Sequence, residues 1–130
     1  MARRAFLDTH VAMWIATGDA RLSRQALKDI NSHGETVISA ISLAELEIKA
    51  GIGKLALPPN TGEVFESFGI KVEAFGLEAS QHLARFPSLA RHDPFDRLIL
   101  AQASARLGTT FFTADETIAN LNLDWIRSCV

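Results

Sequence analysis

The chain has 130 residues, 48% hydrophobic and 22% charged, with a formal net charge of −2. This excludes a disordered chain and leaves no room for two ordinary domains. The balance gives no overall basic field that would advertise a nucleic-acid partner, although an acidic cleft can mask a basic rim in such a sum.

A core of this size needs no disulfide or structural metal. The single cysteine, Cys129, cannot form an internal bridge; terminal exposure is expected, in agreement with a reducing cytoplasm. Residues 1–7 begin basic and turn apolar, but Asp8 interrupts them before they reach the length of a signal-peptide core. No uncharged run approaches the roughly 20 residues needed to span a bilayer, so a soluble, cytoplasmic protein with no membrane contact is expected.

In chain order, Arg4–Leu7 predicts a short strand ending at Asp8, and Val11–Ala16 a helix punctuated by Gly18-Asp19. Ser23 is a suitable N-cap for a helix over Arg24–Ser32, with Ala26, Leu27 and Ile30 on one face and His33-Gly34 as its C-terminal stop. The β-branched Thr36–Ala40 predicts a buried strand. Ser42 then opens a helix through about Lys49, stopped by Gly51 and Gly53. After the Pro58-Pro59-Asn60 loop, a short helix starts at Thr61. Ile70–Phe75 alternates as a strand, and Leu77–Phe86 is helical up to Pro87. Arg91-His92 is a polar link into a buried helix over Pro94–Leu107 that Gly108 terminates. Thr109–Thr113 is the next strand, Asp115–Leu121 a short helix, and Asp124–Arg127 an edge strand. This alternation predicts one domain over residues 1–130, an α/β sandwich with a mostly parallel sheet.

The carboxylates fall where such a sheet would place a site. Asp8 ends the first strand, Glu45 lies a turn into the helix after the second, and Asp115 follows TTFFT. Ligand sites in open α/β sheets form at the carboxyl ends of strands. Capping is the competing explanation. Ser42-Leu43-Ala44-Glu45 spells a capping box, Thr113–Glu116 could be another, Asp93-Pro94-Phe95-Asp96 reads as an N-cap with proline at N1, and Asp8 could cap the helix after it. If the acids converge, their mutual repulsion calls for a cation, and oxygen ligands suit Mg²⁺ or Mn²⁺ rather than zinc. Spacing alone leaves the two open. His10, His33, His82 and His92 lack zinc-like spacing and are expected to be solvated or capping. Trp14 and Trp125 are expected in core or interface. There is no GxGxxG, P-loop or GxSxG motif.

From FLDTHVAMWI through SAISLAELEIKAGIGKL to HDPFDRLILAQA and TFFTAD, the chain resembles the PIN-domain family, specifically VapC-type toxins of bacterial toxin–antitoxin modules. HDPFDRLILAQA is the most specific stretch. The resemblance implies a three-layer PIN sandwich and a Mg²⁺- or Mn²⁺-dependent endoribonuclease whose acids are Asp8, Glu45, Asp96 and Asp115. It also implies an RNA substrate, a cognate antitoxin and a homodimer. On this reading Asp8, Asp96 and Asp115 hold the metal and Glu45 orients or deprotonates a water. Thr113 sits near the ion, and Asp93 caps its helix or supports from outside. Lys49, four residues after Glu45, contacts phosphate or pairs with Glu45; Arg97 is a similar candidate, and Arg3 and Arg4 could sit at the rim. Ala44 stands where relatives commonly have an aromatic, and the chain lacks the tyrosine relatives often carry after the last acid. These departures bear on substrate and interface contacts rather than on the acids. A catalytically silent PIN-fold RNA-binding or regulatory module is the alternative, though a binder has no need of ligands that repel phosphate. A phosphohydrolase or phosphoacceptor domain would place a second acid two residues after its nucleophile or an acidic pair before it, which LDTH lacks.

Overall fold

Parallel strands can be joined only by crossovers such as helices, and they need cover on both faces, which suits short buried apolar runs separated by helices. The computed structural model describes residues 3–129 and has this arrangement. Five strands, β1 (Arg4–Leu7), β2 (Glu35–Ser39), β3 (Ile70–Glu73), β4 (Thr109–Thr113) and β5 (Ile126–Ser128), form one sheet in the order β3-β2-β1-β4-β5. Every pairing is parallel.

Alternate side chains feed two cores, one on each face. Ala5, Leu7, Ile38 and Phe112 pack with Val11, Ile30, Leu46 and Phe65. These belong to helices α1 (Thr9–Thr17), α2 (Arg24–Asn31), α3 (Ala40–Gly51) and α4 (Thr61–Ser67). Phe6, Val37 and Phe111 pack on the other face with Ile99, Leu100, Ala103 and Ile118. Those come from α6 (Pro94–Ser104) and α7 (Glu116–Ala119), while α5 (Leu77–Gln81) lies alongside α6. The result is three layers with the sheet in the middle.

Several boundaries differ from the sequence reading. Ser39, not Ser42, caps α3: β2 stops at Ser39, whose extended backbone lets its hydroxyl accept the Ile41 N–H. The predicted Ser42–Glu45 capping box therefore does not form, and both side chains are buried. Helix α2 ends at Asn31 without a left-handed glycine, because the Gly34 N–H is already bonded to the Arg3 carbonyl at the start of β2. Residues after Gln81 tighten into a 3-10 turn, His82–Arg85, followed by another at Pro87–Leu89. β3 ends at Glu73, α6 at Ser104, and α7 spans only Glu116–Ala119 because Asp115 is its cap. Gly108 does not end α6, which stops at Ser104; it makes a left-handed turn just before β4, at φ 78°.

Two exposure expectations fail. Cys129 is buried, since its N–H bonds the Thr113 carbonyl and carries the chain end against the sheet. Burial pushes its thiol up to about 12. Arg4 is not at a rim: it is 3% exposed, with its guanidinium on Glu73. No helix among the described residues is long and apolar enough to cross a membrane.

Candidate active site

The strand order fixes where a ligand can sit. From β1 the chain builds outward through β2 to β3, then returns to place β4 on the other side of β1. The direction of winding reverses between β1 and β4, and loops leaving their carboxyl ends diverge there to open a crevice. Leu7 lies opposite Phe112, so Asp8 and Thr113 leave the sheet side by side.

Asp8 is held at both oxygens. Its Oδ1 accepts the Val11 N–H at 2.9 Å and so caps α1, while Oδ2 accepts the Thr113 hydroxyl at 2.5 Å and the Ala114 N–H at 2.8 Å. Burial pushes this carboxyl up, against the three hydrogen bonds that favour its charged form. Thr113 Oγ1 in turn accepts the Asp115 N–H at 3.0 Å. Asp115 caps α7 through Oδ1, which accepts the Ile118 N–H at 3.1 Å, and leaves Oδ2 facing the cleft. Asp93 caps α6 by accepting the Phe95 N–H, with Pro94 at N1, and so places Asp96 in the first turn, facing the same cleft. Capping and convergence are thus compatible, because a carboxylate has two oxygens and a cap occupies one.

Glu45 approaches from α3 and is 1% exposed. The Thr9 hydroxyl donates to its Oε1 at 2.7 Å, and Lys49 Nζ donates to Oε2 at 2.7 Å. Thr9 has one proton to give, so its 2.9 Å contact with Ser42 is completed by the Ser42 hydroxyl donating. Of the two roles left open for Lys49, the pairing with Glu45 is present. That hydrogen bond, with the charges of Glu45, Asp93 and Asp96, holds the ammonium above its ordinary value.

Asp96 records the crowding. Burial first, then the charges of Asp93, Glu45, Asp115 and Asp8, push its carboxyl up to about 7. The predicted acids therefore share one electrostatic environment, and Asp8, Asp96 and Asp115 line one cleft with His10, Trp14 and Ala114. Arg97 does not line that cleft. Its Nε is buried without a hydrogen-bond partner among the described residues.

One member was missed. His92, expected to be solvated or capping, sets its Nε2 at 3.1 Å from Asp115 Oδ2 and 3.2 Å from Asp96 Oδ2. These three atoms lie within 4.8 Å of one another. The available signal was its position four residues before Asp96, which put both on one side of the α6 entrance.

The wound parallel sheet thus gathers carboxylates in the crevice at its switch point. The PIN domain profile matches residues 5–122. The chain belongs to the PIN-domain family, whose members are generally nucleases. No curated protein sequence matches it. Similar solved structures include VapBC2 from Rickettsia felis bound to a promoter DNA fragment, 17% identical, with a TM-score of 0.69 over 96% of this chain and 98% of that one. DNA-bound VapBC from Salmonella typhimurium is 23% identical, with a TM-score of 0.66 over 98% and 99% of the two chains. A toxin–antitoxin complex from Klebsiella pneumoniae is 13% identical, with a TM-score of 0.64 over 97% and 98%.

Proposed function

We propose that the chain, acting as one PIN domain over residues 1–130, is a Mg²⁺- or Mn²⁺-dependent endoribonuclease, the toxin of a type II toxin–antitoxin pair. The observation that carries this is the meeting of ligand atoms from Asp96, Asp115 and His92 within 4.8 Å of one another, in a cleft that Asp8 also lines. The donor set fits a hard divalent cation. It is rich in carboxylate oxygen: Asp8, Glu45, Asp93, Asp96 and Asp115 crowd one another, and among the described residues Lys49 pairs with Glu45 alone.

In this reading Asp8, Asp96 and Asp115 hold the ion, directly or through waters. When bound, the ion supplies a Lewis acid that shields phosphate charge and lowers the pKa of water. Each Glu45 oxygen keeps a lone pair after bonding Thr9 or Lys49, so Glu45 can orient the attacking water and take its proton. Thr113 fixes the Asp8 carboxylate, and Asp93 fixes the start of α6. Lys49 has further N–H donors for phosphate beyond the one on Glu45, whereas Arg97 lies outside the cleft.

Asp8→Asn and Asp96→Asn should each lower Mg²⁺-dependent RNA cleavage by about a hundredfold or more, since even supporting residues of metal sites are worth 10–100-fold. Far-ultraviolet circular dichroism should stay unchanged. Parental cleavage by either variant would overturn the assignment. EDTA should silence the parent, with Mg²⁺ or Mn²⁺ rather than zinc restoring it. The engagement of both Glu45 oxygens favours a second reading, a silent PIN-fold RNA-binding or regulatory module; RNA retained uncut in Mn²⁺ would select it.

The VapBC-like fold supports a cognate antitoxin, and a homodimer and a cytoplasmic setting belong to the same proposal. Inducing this chain alone in a bacterial host should arrest growth. A short overlapping upstream reading frame, co-expressed, should relieve the arrest.

A further inference from the structure

We propose that His92 is itself a ligand of the divalent ion, completing a mixed nitrogen–oxygen set with Asp96 and Asp115. The inference rests on the metal-site reading above and specifies which ion the site prefers. Two ligand atoms at right angles around an ion, each about 2.1 Å away, lie about 3 Å apart. His92 Nε2 stands 3.1 Å from one carboxylate oxygen and 3.2 Å from the other, the spacing of neighbouring corners of such a shell.

The backbone that carries the ring is anchored. The His92 backbone N–H bonds the Leu89 carbonyl at 3.0 Å, and the next residue, Asp93, is locked as the cap of α6. The side chain is 21% exposed, beside Asp96 at 20% and Asp115 at 27%, so all three face solvent from which an ion can enter. A neutral imidazole adds a ligand without adding negative charge, which suits a cleft where carboxylates already crowd one another. Imidazole also shifts a site away from the pure oxygen preference of Mg²⁺ and toward first-row transition ions. Of the two ions proposed above, the site therefore prefers Mn²⁺ to Mg²⁺.

The competing arrangement is a protonated ring that bridges Asp96 and Asp115 in place of the ion. The two make opposite predictions for His92→Ala. A ligand's removal weakens Mn²⁺ binding, whereas a competitor's removal strengthens it. With the EDTA-stripped full chain and MnCl₂, electron paramagnetic resonance titration should show Mn²⁺ affinity falling by about tenfold or more in His92→Ala, at least the cost of losing a supporting residue. Mg²⁺ affinity, followed by calorimetry, should fall less. Pulsed resonance on Mn²⁺-loaded parent should show a nitrogen coupling that the variant lacks; His10 lines the same cleft, so its loss in the variant is the deciding feature. Thermal unfolding establishes that the variant is folded. Unchanged or tighter Mn²⁺ binding in His92→Ala, or Mn²⁺ bound to the parent without a nitrogen coupling, would overturn the ligand role and leave the carboxylate site standing. A parent that takes up no Mn²⁺ would sink the metal-site reading, and the ligand role with it.

Discussion

The molecule holds two sets of charged side chains against the same sheet, and they are balanced in opposite ways. Under α6, Arg4 reaches Glu73 at 2.5 Å, Arg106 adds a second cation at 3.0 Å, and Gln102 donates to the same carboxylate at 3.2 Å. Burial alone would raise the Glu73 carboxyl, but these partners together hold it below its ordinary value. In the cleft, burial raises Asp96 and every neighbouring carboxylate raises it further. The first set is finished without help. The second is short of positive charge, with Lys49 on Glu45 set against five carboxylates, an arrangement that costs stability unless a ligand makes up the difference.

The largest expected effect lies in the finished set. Arg4→Met keeps the apolar stem but strands Glu73, and should cost about 3 kcal/mol in urea unfolding, the low end for breaking a buried pair because Arg106 and Gln102 remain. A loss under about 1 kcal/mol would make this cluster no more than a surface pair. Glu73 binds its proton less readily folded than unfolded. The pair's contribution is therefore present above the ordinary 4.5 and fades as pH falls through the lowered folded value. The gap between parent and variant should narrow on acidification.

Next in size is the hydroxyl that steadies the cleft. Thr113→Val removes the donor to a buried carboxylate and should cost about 2 kcal/mol, in the range for hydrogen bonds to charged groups. It should also weaken Mn²⁺ binding. Stability lost without any change in affinity would confine Thr113 to a structural part.

The smallest shift runs the other way. Metal-free Asp96→Asn relieves repulsion and should unfold about 1 kcal/mol later than the metal-free parent. Saturating Mn²⁺ should reverse the ranking, since ligand at about a hundred times its dissociation constant adds about 2.7 kcal/mol to the protein that binds it. Were the asparagine variant less stable without metal, the cleft would not be short of positive charge.

The strands and the α6 cap were legible because β-branched runs and Asp-Pro at a helix start carry local causes. Convergence was not legible. It depends on β4 returning beside β1, a tertiary event that no window of sequence contains. Ser39 and Ser42 lie three residues apart and either could cap; the end of β2 decided between them. His92 lies in a polar link with no periodicity to read, so it looked solvated. Cys129 and Arg4 were misplaced because burial at a strand end follows from the neighbours in the sheet, not from position in the chain.

The clamp between Asp8 and Thr113 joins residues 105 positions apart. During synthesis the amino-terminal acid leaves the ribosome long before its carboxyl-terminal companions. No truncated product that ends before β4 can assemble the cleft. For a protein proposed to cut RNA, this ordering keeps the nascent chain inert until β4 has left the ribosome.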